Sequence, residues 1–202
     1  MASGRPSRKC LNGSDRRKFT VSIEIEKKYR LTEVLRAEVV AALGEFGAKF
    51  VCNDFEENTI FSNDLLFERR AMVRIRKTAD RSIITFKQRM ESISGAKQQS
   101  EYETKVDDAD ATRSILEGIG LRRVLVYEKK RATYNFRNSE IVLDELPFGL
   151  FMEIEGPLTA IAEAEMLLGI EDLETESETY PRLTEKFGVK NGDVIESRFR
   201  ES

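Results

Sequence analysis

Histidine and tryptophan are absent from this chain of 202 residues, and cysteine occurs only twice. The lack of histidine excludes a Ser-His-Asp triad, a Cys-His pair and every metal site with an imidazole ligand. Cys10 and Cys52 are too few for a disulfide framework or a cysteine zinc cluster, so we expect reduced thiols and a cytoplasmic location. Any bound metal would have to be held by oxygen atoms, which favours Mg²⁺, Mn²⁺ or Ca²⁺.

Long apolar runs are also missing, because no segment approaches the roughly 18 residues that a membrane span needs. The 33 basic and 36 acidic residues give a net charge of −3, which argues against a general nucleic-acid coat protein. The length is typical of one domain. Charged residues make up 34% of the chain against a usual value of about 25%, so their placement is the feature to explain.

Residues 1–19 differ in composition from the rest of the chain. They hold six basic residues against the single acid Asp15, and they lack apolar periodicity. We predict that this segment is a disordered basic arm. The domain is then expected over residues 20–188, with residues 189–202 as a C-terminal tail.

The hydrophobic periodicity predicts about eight strands and three or four helices. The strands are expected near Thr20–Tyr29, Phe50–Phe61, Ala71–Lys77, Ser82–Arg89, Glu101–Val106, Val124–Phe136, Glu140–Leu146 and Leu150–Glu155. The helices are expected near Thr32–Leu43, Asp108–Glu117, Leu158–Leu168 and Pro181–Phe187. Strands that follow one another as hairpins predict an α+β fold with an antiparallel sheet and helices packed outside. Eight strands are enough to close into a barrel.

The predicted strands carry their charge on one face. In Ala71–Lys77, Arg74 and Arg76 share one face, while Val73 and Ile75 share the other, because side chains alternate along a strand. The same separation recurs on at least six of the predicted strands. If the sheet closes, the ionic faces look at one another and line a hydrated tunnel with both signs of charge.

Both signs of charge in such a tunnel suit a polyanion bound with divalent cations. A Glu-x-Glu strand places two carboxylates on one face roughly 6.5 Å apart, so both can reach one cation or a bridging water. The candidate acids are Glu24, Glu26, Glu101, Glu103, Asp144, Glu153 and Glu155. Arg-x-Arg offers two planar forks to phosphate oxygens. The candidate bases are Lys28, Arg74, Arg76, Lys87, Lys129 and Arg131. The alternative is that the two sets only form internal salt bridges.

The order of these segments resembles the CYTH family of triphosphate tunnel metalloenzymes, in the class IV adenylyl cyclase-like branch related to thiamine triphosphatase. The resemblance covers about residues 20–187. It rests on Glu24-Ile25-Glu26-Lys27-Lys28, Val73-Arg74-Ile75-Arg76-Lys77, Thr85-Phe86-Lys87, Glu101-Tyr102-Glu103, Lys129-Lys130-Arg131, Leu143-Asp144-Glu145-Leu146-Pro147, Phe151-Met152-Glu153-Ile154-Glu155-Gly156 and Tyr180. Ser62 departs from the pattern, since many members have an aspartate after the preceding phenylalanine.

The resemblance implies an eight-stranded antiparallel barrel whose tunnel binds a triphosphate with Mg²⁺ or Mn²⁺. By position it implies cation ligands at Glu24, Glu26, Glu153 and Glu155, with Asp144 assisting. The triphosphate would be held by Lys28, Arg74, Arg76, Lys87, Lys129 and Arg131. Glu101 and Glu103 would bind a second cation or steady nearby bases. Lys28 is the candidate for positioning the nucleophile, and its alternative role is a plain phosphate clamp.

The reaction that we expect is metal-dependent hydrolysis of inorganic tripolyphosphate, a nucleoside triphosphate or thiamine triphosphate, with Lys28, Glu24 and Glu26 as catalytic residues. One alternative is a class IV adenylyl cyclase, which converts ATP to cyclic AMP and pyrophosphate. Another is a non-catalytic polyphosphate or nucleotide binder. The expected partner is a triphosphate-containing small molecule rather than a membrane or a specific nucleic acid. The sequence leaves a homodimer open.

Overall fold

Ten strands and five helices form the part of the chain that the computed structural model describes, residues 25–90 and 98–200. The strands are β1 (Glu26–Leu31), β2 (Lys49–Ser62), β3 (Ala71–Lys77), β4 (Ser82–Met90), β5 (Gln98–Val106), β6 (Arg122–Phe136), β7 (Ser139–Leu146), β8 (Gly149–Glu155), β9 (Val189–Asn191) and β10 (Val194–Ser197). The helices are α1 (Glu33–Glu45), α2 (Asp64–Glu68), α3 (Ala109–Gly118), α4 (Leu158–Leu168) and α5 (Tyr180–Phe187). The predicted basic arm, Cys10 and Glu24 lie outside the described residues.

The strands join one mostly antiparallel sheet in the order β1-β8-β7-β6-β2-β3-β4-β5. β10 lies beside this path, parallel to β6 and antiparallel to β9. This arrangement confirms the predicted α+β class. Among the described residues no strand pairing joins β1 to β5, so hydrogen bonds do not close the sheet into a barrel.

The strand register places the charged side chains on one face of the sheet. β1 pairs with β8 so that Lys28 lies opposite Glu153. β2 pairs with β6 so that Glu56 lies opposite Lys129. Because neighbouring strands keep their alternation in phase, the charged positions form rows across several strands. The apolar positions form matching rows on the other face.

Three helices cover the apolar face and leave the charged face to form the site. On one side, Val39 of α1 and Ile161 of α4 are buried in a cluster with Ile154 of β8. On the other side, Leu116 of α3 packs with Val73 of β3. Three helices, α1, α2 and α3, begin where a side chain accepts from free backbone N–H groups; for example, Thr32 accepts a hydrogen bond from the Leu35 N–H at the start of α1. Within residues 25–90 and 98–200, every helix is too short or too polar to span a bilayer.

α5 packs at one end of the charged face. Its residue Leu183 is buried with Ile60 of β2 and Leu125 of β6. Gly188 then turns the chain toward β9 and β10, with Ile195 of β10 passing close by. A Cβ atom at Gly188 would lie 2.6 Å from the Thr184 carbonyl oxygen and 2.7 Å from the Ile195 Cγ2. Only glycine therefore lets β10 cross so close to the end of α5.

Three short elements were not predicted from the sequence. They are α2, which has five residues, β9, which has three, and β10, which has four. The segment 189–202, expected as a tail, contains β9 and β10, and β10 extends the main sheet through β6.

Candidate active site

A cavity of about 480 Å³ lies on the charged face of the sheet. It brings together eleven of the thirteen predicted site residues, namely Glu26, Lys28, Arg74, Arg76, Lys87, Glu101, Glu103, Lys129, Arg131, Glu153 and Glu155. Asp144 is buried directly beneath this set, and Glu24 lies outside the described residues. The lining also includes residues that sequence reasoning did not assign to the site, among them Glu140 and Tyr180.

Asp144 is the centre of a buried ionic group. The Arg131 guanidinium donates to it from Nε at 2.7 Å and from Nη2 at 2.6 Å, as a two-pronged fork. The Tyr180 hydroxyl donates at 2.7 Å, and Lys129 Nζ donates at 3.4 Å. Burial alone would raise the pKa of Asp144, but Lys129 and Arg131 hold it well below its usual value. Asp144 is therefore a fixed negative charge whose oxygens are committed to protein donors.

Glu56 is a second buried acid, and sequence reasoning missed it. Its side chain lies 3.4 Å from Lys129 Nζ and 3.5 Å from Arg76 Nε, and it accepts a hydrogen bond of 3.2 Å from the Asn58 amide. Burial would raise the pKa of Glu56, but Lys129 and Arg76 lower it. Lys129 lies between Glu56 and Asp144, although burial and the nearby Arg131 lower the pKa of its ammonium. These two acids fix the positions of three bases that line the cavity.

Lys28 enters the cavity from β1. Its Nζ lies 3.3 Å from Glu153 Oε1 and donates a hydrogen bond of 3.2 Å to the carbonyl oxygen of Glu178. The same Nζ lies 4.0 Å from the centre of the Tyr180 ring. Lys28 is 8% exposed, so the ammonium is held almost entirely by protein groups.

A more open ionic group lies on β3, β4 and β5. Lys87 Nζ is 2.8 Å from Glu101 Oε2. Arg74 Nη2 lies 4.0 Å from Glu101 and 3.9 Å from Glu103, and it donates a hydrogen bond of 3.3 Å to the Thr85 hydroxyl. The longer contacts of Arg74 leave its guanidinium weakly held by these acids, whereas Lys87 is closely paired with Glu101.

Two arginines on β3 are suited to bind an anion. The buried Nε atoms of Arg74 and Arg76 have no hydrogen-bond acceptor among the described residues, because the 3.5 Å approach of Glu56 to Arg76 lacks hydrogen-bond geometry. Burial and the neighbouring Arg74 also lower the pKa of Arg76. Buried donors without acceptors are costly, and phosphate oxygens would relieve that cost.

The acidic end of the cavity has the chemistry of a divalent-cation site. The register of β1, β8 and β7 places Glu26 opposite Glu155 and Glu155 opposite Glu140, so the three carboxylates form one row. Burial raises the pKa of Glu26, and the adjacent Glu153 raises it further. No three acidic groups among the described residues already converge as the ligands of one ion do. The donor set nevertheless fits a hard cation, which would offset the repulsion between these carboxylates.

Solved structures share this architecture. The PH1012 protein of Pyrococcus horikoshii OT3 matches with a TM-score of 0.68 and 23% identity, over 80% of this chain and 99% of that one. A candidate adenylate cyclase of Vibrio parahaemolyticus matches with a TM-score of 0.62 and 19% identity, over 80% and 97%. A Hippeastrum candidate adenylyl cyclase, described as having a dominant triphosphatase activity, matches with a TM-score of 0.61 and 17% identity, over 81% and 95%. At these identities the likeness shows the fold alone.

Sequence comparison identifies the family. No curated protein matches this chain. The model of the CYTH domain matches residues 22–186, which is most of the chain and includes every strand that lines the cavity. The chain therefore belongs to the CYTH domain family.

Proposed function

We propose that the protein hydrolyses a triphosphate in this cavity, with Mg²⁺ or Mn²⁺ bound at the acidic end. Water would attack the terminal phosphorus, the bond to the bridging oxygen would break, and orthophosphate would leave with the diphosphate product. The observation that carries the proposal is the meeting of six bases and six carboxylates in one cavity of about 480 Å³. The candidate substrates are inorganic tripolyphosphate, nucleoside triphosphates and thiamine triphosphate.

The bases are suited to hold the phosphate groups. Arg74, Arg76 and Lys87 lie on neighbouring strands, and the arginine donors without acceptors favour phosphate oxygens there. Lys129 and Arg131 are already oriented by buried acids, so little rearrangement would be needed at binding. For Asp144, the bidentate bond to Arg131 supports a role in orienting that base rather than in assisting a cation.

The charge balance of the cavity supports a need for divalent cations. The lining residues include as many carboxylates as bases, and Glu56 and Asp144 add negative charge beneath them. A triphosphate would therefore bring excess negative charge into the cavity. Glu26 and Glu155 would hold the cation, with Glu140 beside them and with Glu153 joining once it exchanges its contacts with Lys28 and Arg131. The bound ion would neutralise charge that develops on phosphate oxygens. The CYTH family is generally metal-dependent, which agrees with this assignment.

We assign to Lys28 the role of positioning the nucleophile, which is a water molecule. It projects from β1 between Glu153 and Tyr180, next to the acidic end where the cation would bind. An ammonium fixed there can orient a water molecule toward the terminal phosphate.

The test is a product analysis with a matched pair of variants. The pure protein is incubated with inorganic tripolyphosphate, and separately with ATP, each with Mg²⁺ or Mn²⁺, and the products are separated by chromatography. Arg76→Ala should lower kcat/KM by about a hundredfold, because a preorganised phosphate donor is lost. Lys77→Ala removes an exposed base at the next position of β3, on the opposite face, and should change kcat/KM by less than about twofold.

The outcomes separate the candidate functions. Orthophosphate released from tripolyphosphate, and lost in Arg76→Ala, would support the hydrolase. Cyclic AMP and pyrophosphate formed from ATP would overturn it in favour of the cyclase. Binding of either compound without any product would identify a non-catalytic binder.

A further inference from the structure

Tyr180 lies at the centre of the ionic groups without carrying a charge itself. It is the first residue of α5 and is 6% exposed. The Lys28 ammonium lies 4.0 Å from the centre of its ring, and the Lys129 ammonium lies 5.2 Å from it. A buried aromatic face attracts a cation because the ring carries negative charge density above its plane. The Tyr180 ring is thus an uncharged partner for the Lys28 ammonium, which enters the cavity from β1.

The chain that precedes α5 also holds Lys28. The Glu176 N–H donates to the Lys28 carbonyl oxygen at 2.7 Å, and Lys28 Nζ donates to the Glu178 carbonyl oxygen at 3.2 Å. Both the backbone and the ammonium of Lys28 are therefore tied to the segment that carries Tyr180. The position of the base depends on how this segment docks against β1.

Two contacts fix the orientation of the ring. The Tyr180 hydroxyl donates to Asp144 Oδ2 at 2.7 Å, and Asp144 is itself held by Arg131. Phe151 meets the ring edge to face at a centroid distance of 5.5 Å. These contacts consequently fix the angle at which the face of the Tyr180 ring meets the Lys28 ammonium.

We propose that Tyr180 is a positioning residue, whose ring fixes the Lys28 ammonium in the cavity while its hydroxyl anchors the ring to Asp144. The consequence for catalysis rests on the proposed function, since it assumes that Lys28 acts on the triphosphate. The contact between Tyr180 and Lys28 stands independently of the reaction. The experiment therefore has one arm that measures the contact and one arm that measures turnover.

The first arm uses nuclear magnetic resonance on protein that carries ¹³C-labelled lysine. The Lys28 ε-methylene signal, assigned by its disappearance in Lys28→Arg, should be shifted upfield by the ring current of Tyr180. Tyr180→Phe keeps the ring and should keep the shift. Tyr180→Leu should move the signal downfield, to the position of a lysine that has no aromatic ring beside it. Leu183→Ala is the matched control, because it creates a cavity beside α5 without removing the ring.

The second arm is a double-mutant cycle on hydrolysis of inorganic tripolyphosphate with Mg²⁺. Tyr180→Leu should lower kcat/KM about tenfold, and Tyr180→Phe should lower it less than about threefold. In a Lys28→Ala background, Tyr180→Leu should have no further effect, because the base that it positions is gone.

Three results would overturn the proposal. The first is an upfield Lys28 signal that persists in Tyr180→Leu. The second is an equal loss of kcat/KM in Leu183→Ala and Tyr180→Leu, and the third is a loss in Tyr180→Leu that is undiminished in the Lys28→Ala background. If the wild-type protein turned over no triphosphate, the proposed function would fail, and the Lys28 signal would still decide whether Tyr180 positions this base.

Discussion

The two sides of the cavity are built differently. The dry side consists of Lys28, Lys129, Arg131, Glu56, Asp144 and Glu153, and the wet side consists of Lys87, Glu101 and Glu103, with the buried Arg74 between the two. On the dry side the Lys129 and Asp144 side chains are 4% and 0% exposed. On the wet side the Lys87 and Glu101 side chains are 23% and 26% exposed. Ion pairs away from water are strong and rigid, whereas those open to water are screened and exchange easily.

The sheet and its helices explain this difference. Most of the dry side lies on strands with neighbours on both sides, and only Lys28 lies on the end strand β1. A large cluster that α1 and α4 bury lies behind it. The wet side ends at β5, the last strand of the sheet, over the smaller cluster of α3. We therefore expect the dry side to govern folding stability, while the wet side exchanges its internal carboxylates for ligand oxygens.

Asp144→Asn should give the largest effect, because it leaves Lys129 and Arg131 buried with less negative charge. Removing one partner of a buried ionic group costs about 3–5 kcal/mol of the free energy of unfolding, which urea denaturation would measure. The control is Glu145→Gln, at the next position of β7, where the carboxylate pairs with the exposed Lys130. That change should cost less than about 1 kcal/mol. Equal losses in the two variants would contradict a distinction between buried and open ion pairs.

Glu56→Gln should have a smaller effect that depends on pH. Burial opposes ionisation of Glu56, but Lys129 and Arg76 hold its pKa below the usual value. Its contribution is then fully present above the unfolded carboxyl pKa of about 4.3 and is lost as the pH falls through the lower folded pKa. Wild type should exceed the variant by about 2 kcal/mol at pH 7, and the gap should shrink toward pH 3 in urea titrations. A gap that stayed constant with pH would show that the charge of Glu56 is not what stabilises the fold.

Glu101→Gln should have the smallest effect. Glu101 and its main partner Lys87 are both partly hydrated, and Arg74 lies 4.0 Å away, so the free energy of unfolding should fall by less than about 1 kcal/mol. Raising the salt concentration to about 0.5 M should remove most of that difference. At that concentration the Debye length is only a few Å, so mobile ions screen exposed charges. A loss as large as that of Asp144→Asn, unaffected by salt, would mean that the wet side is as rigid as the dry one.

The sequence predicts the placement of most of the cavity because strand alternation is a strict geometric rule. Arg74 and Arg76 are two residues apart in a strand, so they must share a face, and the alternating Val73 and Ile75 must share the other. Successive hairpins then bring such faces side by side. The α+β class and the antiparallel pairing follow from the same reasoning, and the structure confirms both.

The residues that were missed depend on contacts between distant parts of the chain. Glu56 lies in a run, Asp54–Asn58, with polar residues on both faces, so alternation does not reveal which acid turns inward. Tyr180 reaches the cavity only because α5 docks on the charged face. β9 and β10 are too short for a periodic pattern to be recognised, and β10 finds its partner in a strand that lies some 70 residues earlier, as the pairing of Ile195 with Leu125 shows.

The close crossing at Gly188 lets β10, the last strand, cover an edge of β6 that could otherwise pair with another molecule. β7 pairs with β6 only from Lys130 onward, and β10 occupies Leu125–Tyr127, which would otherwise present unpaired backbone groups. Those groups lie beside buried apolar side chains, the combination that invites strands from other molecules. The CYTH match ends at residue 186, before this cover begins. A chain cut at residue 188 would retain the whole cavity yet be prone to self-association.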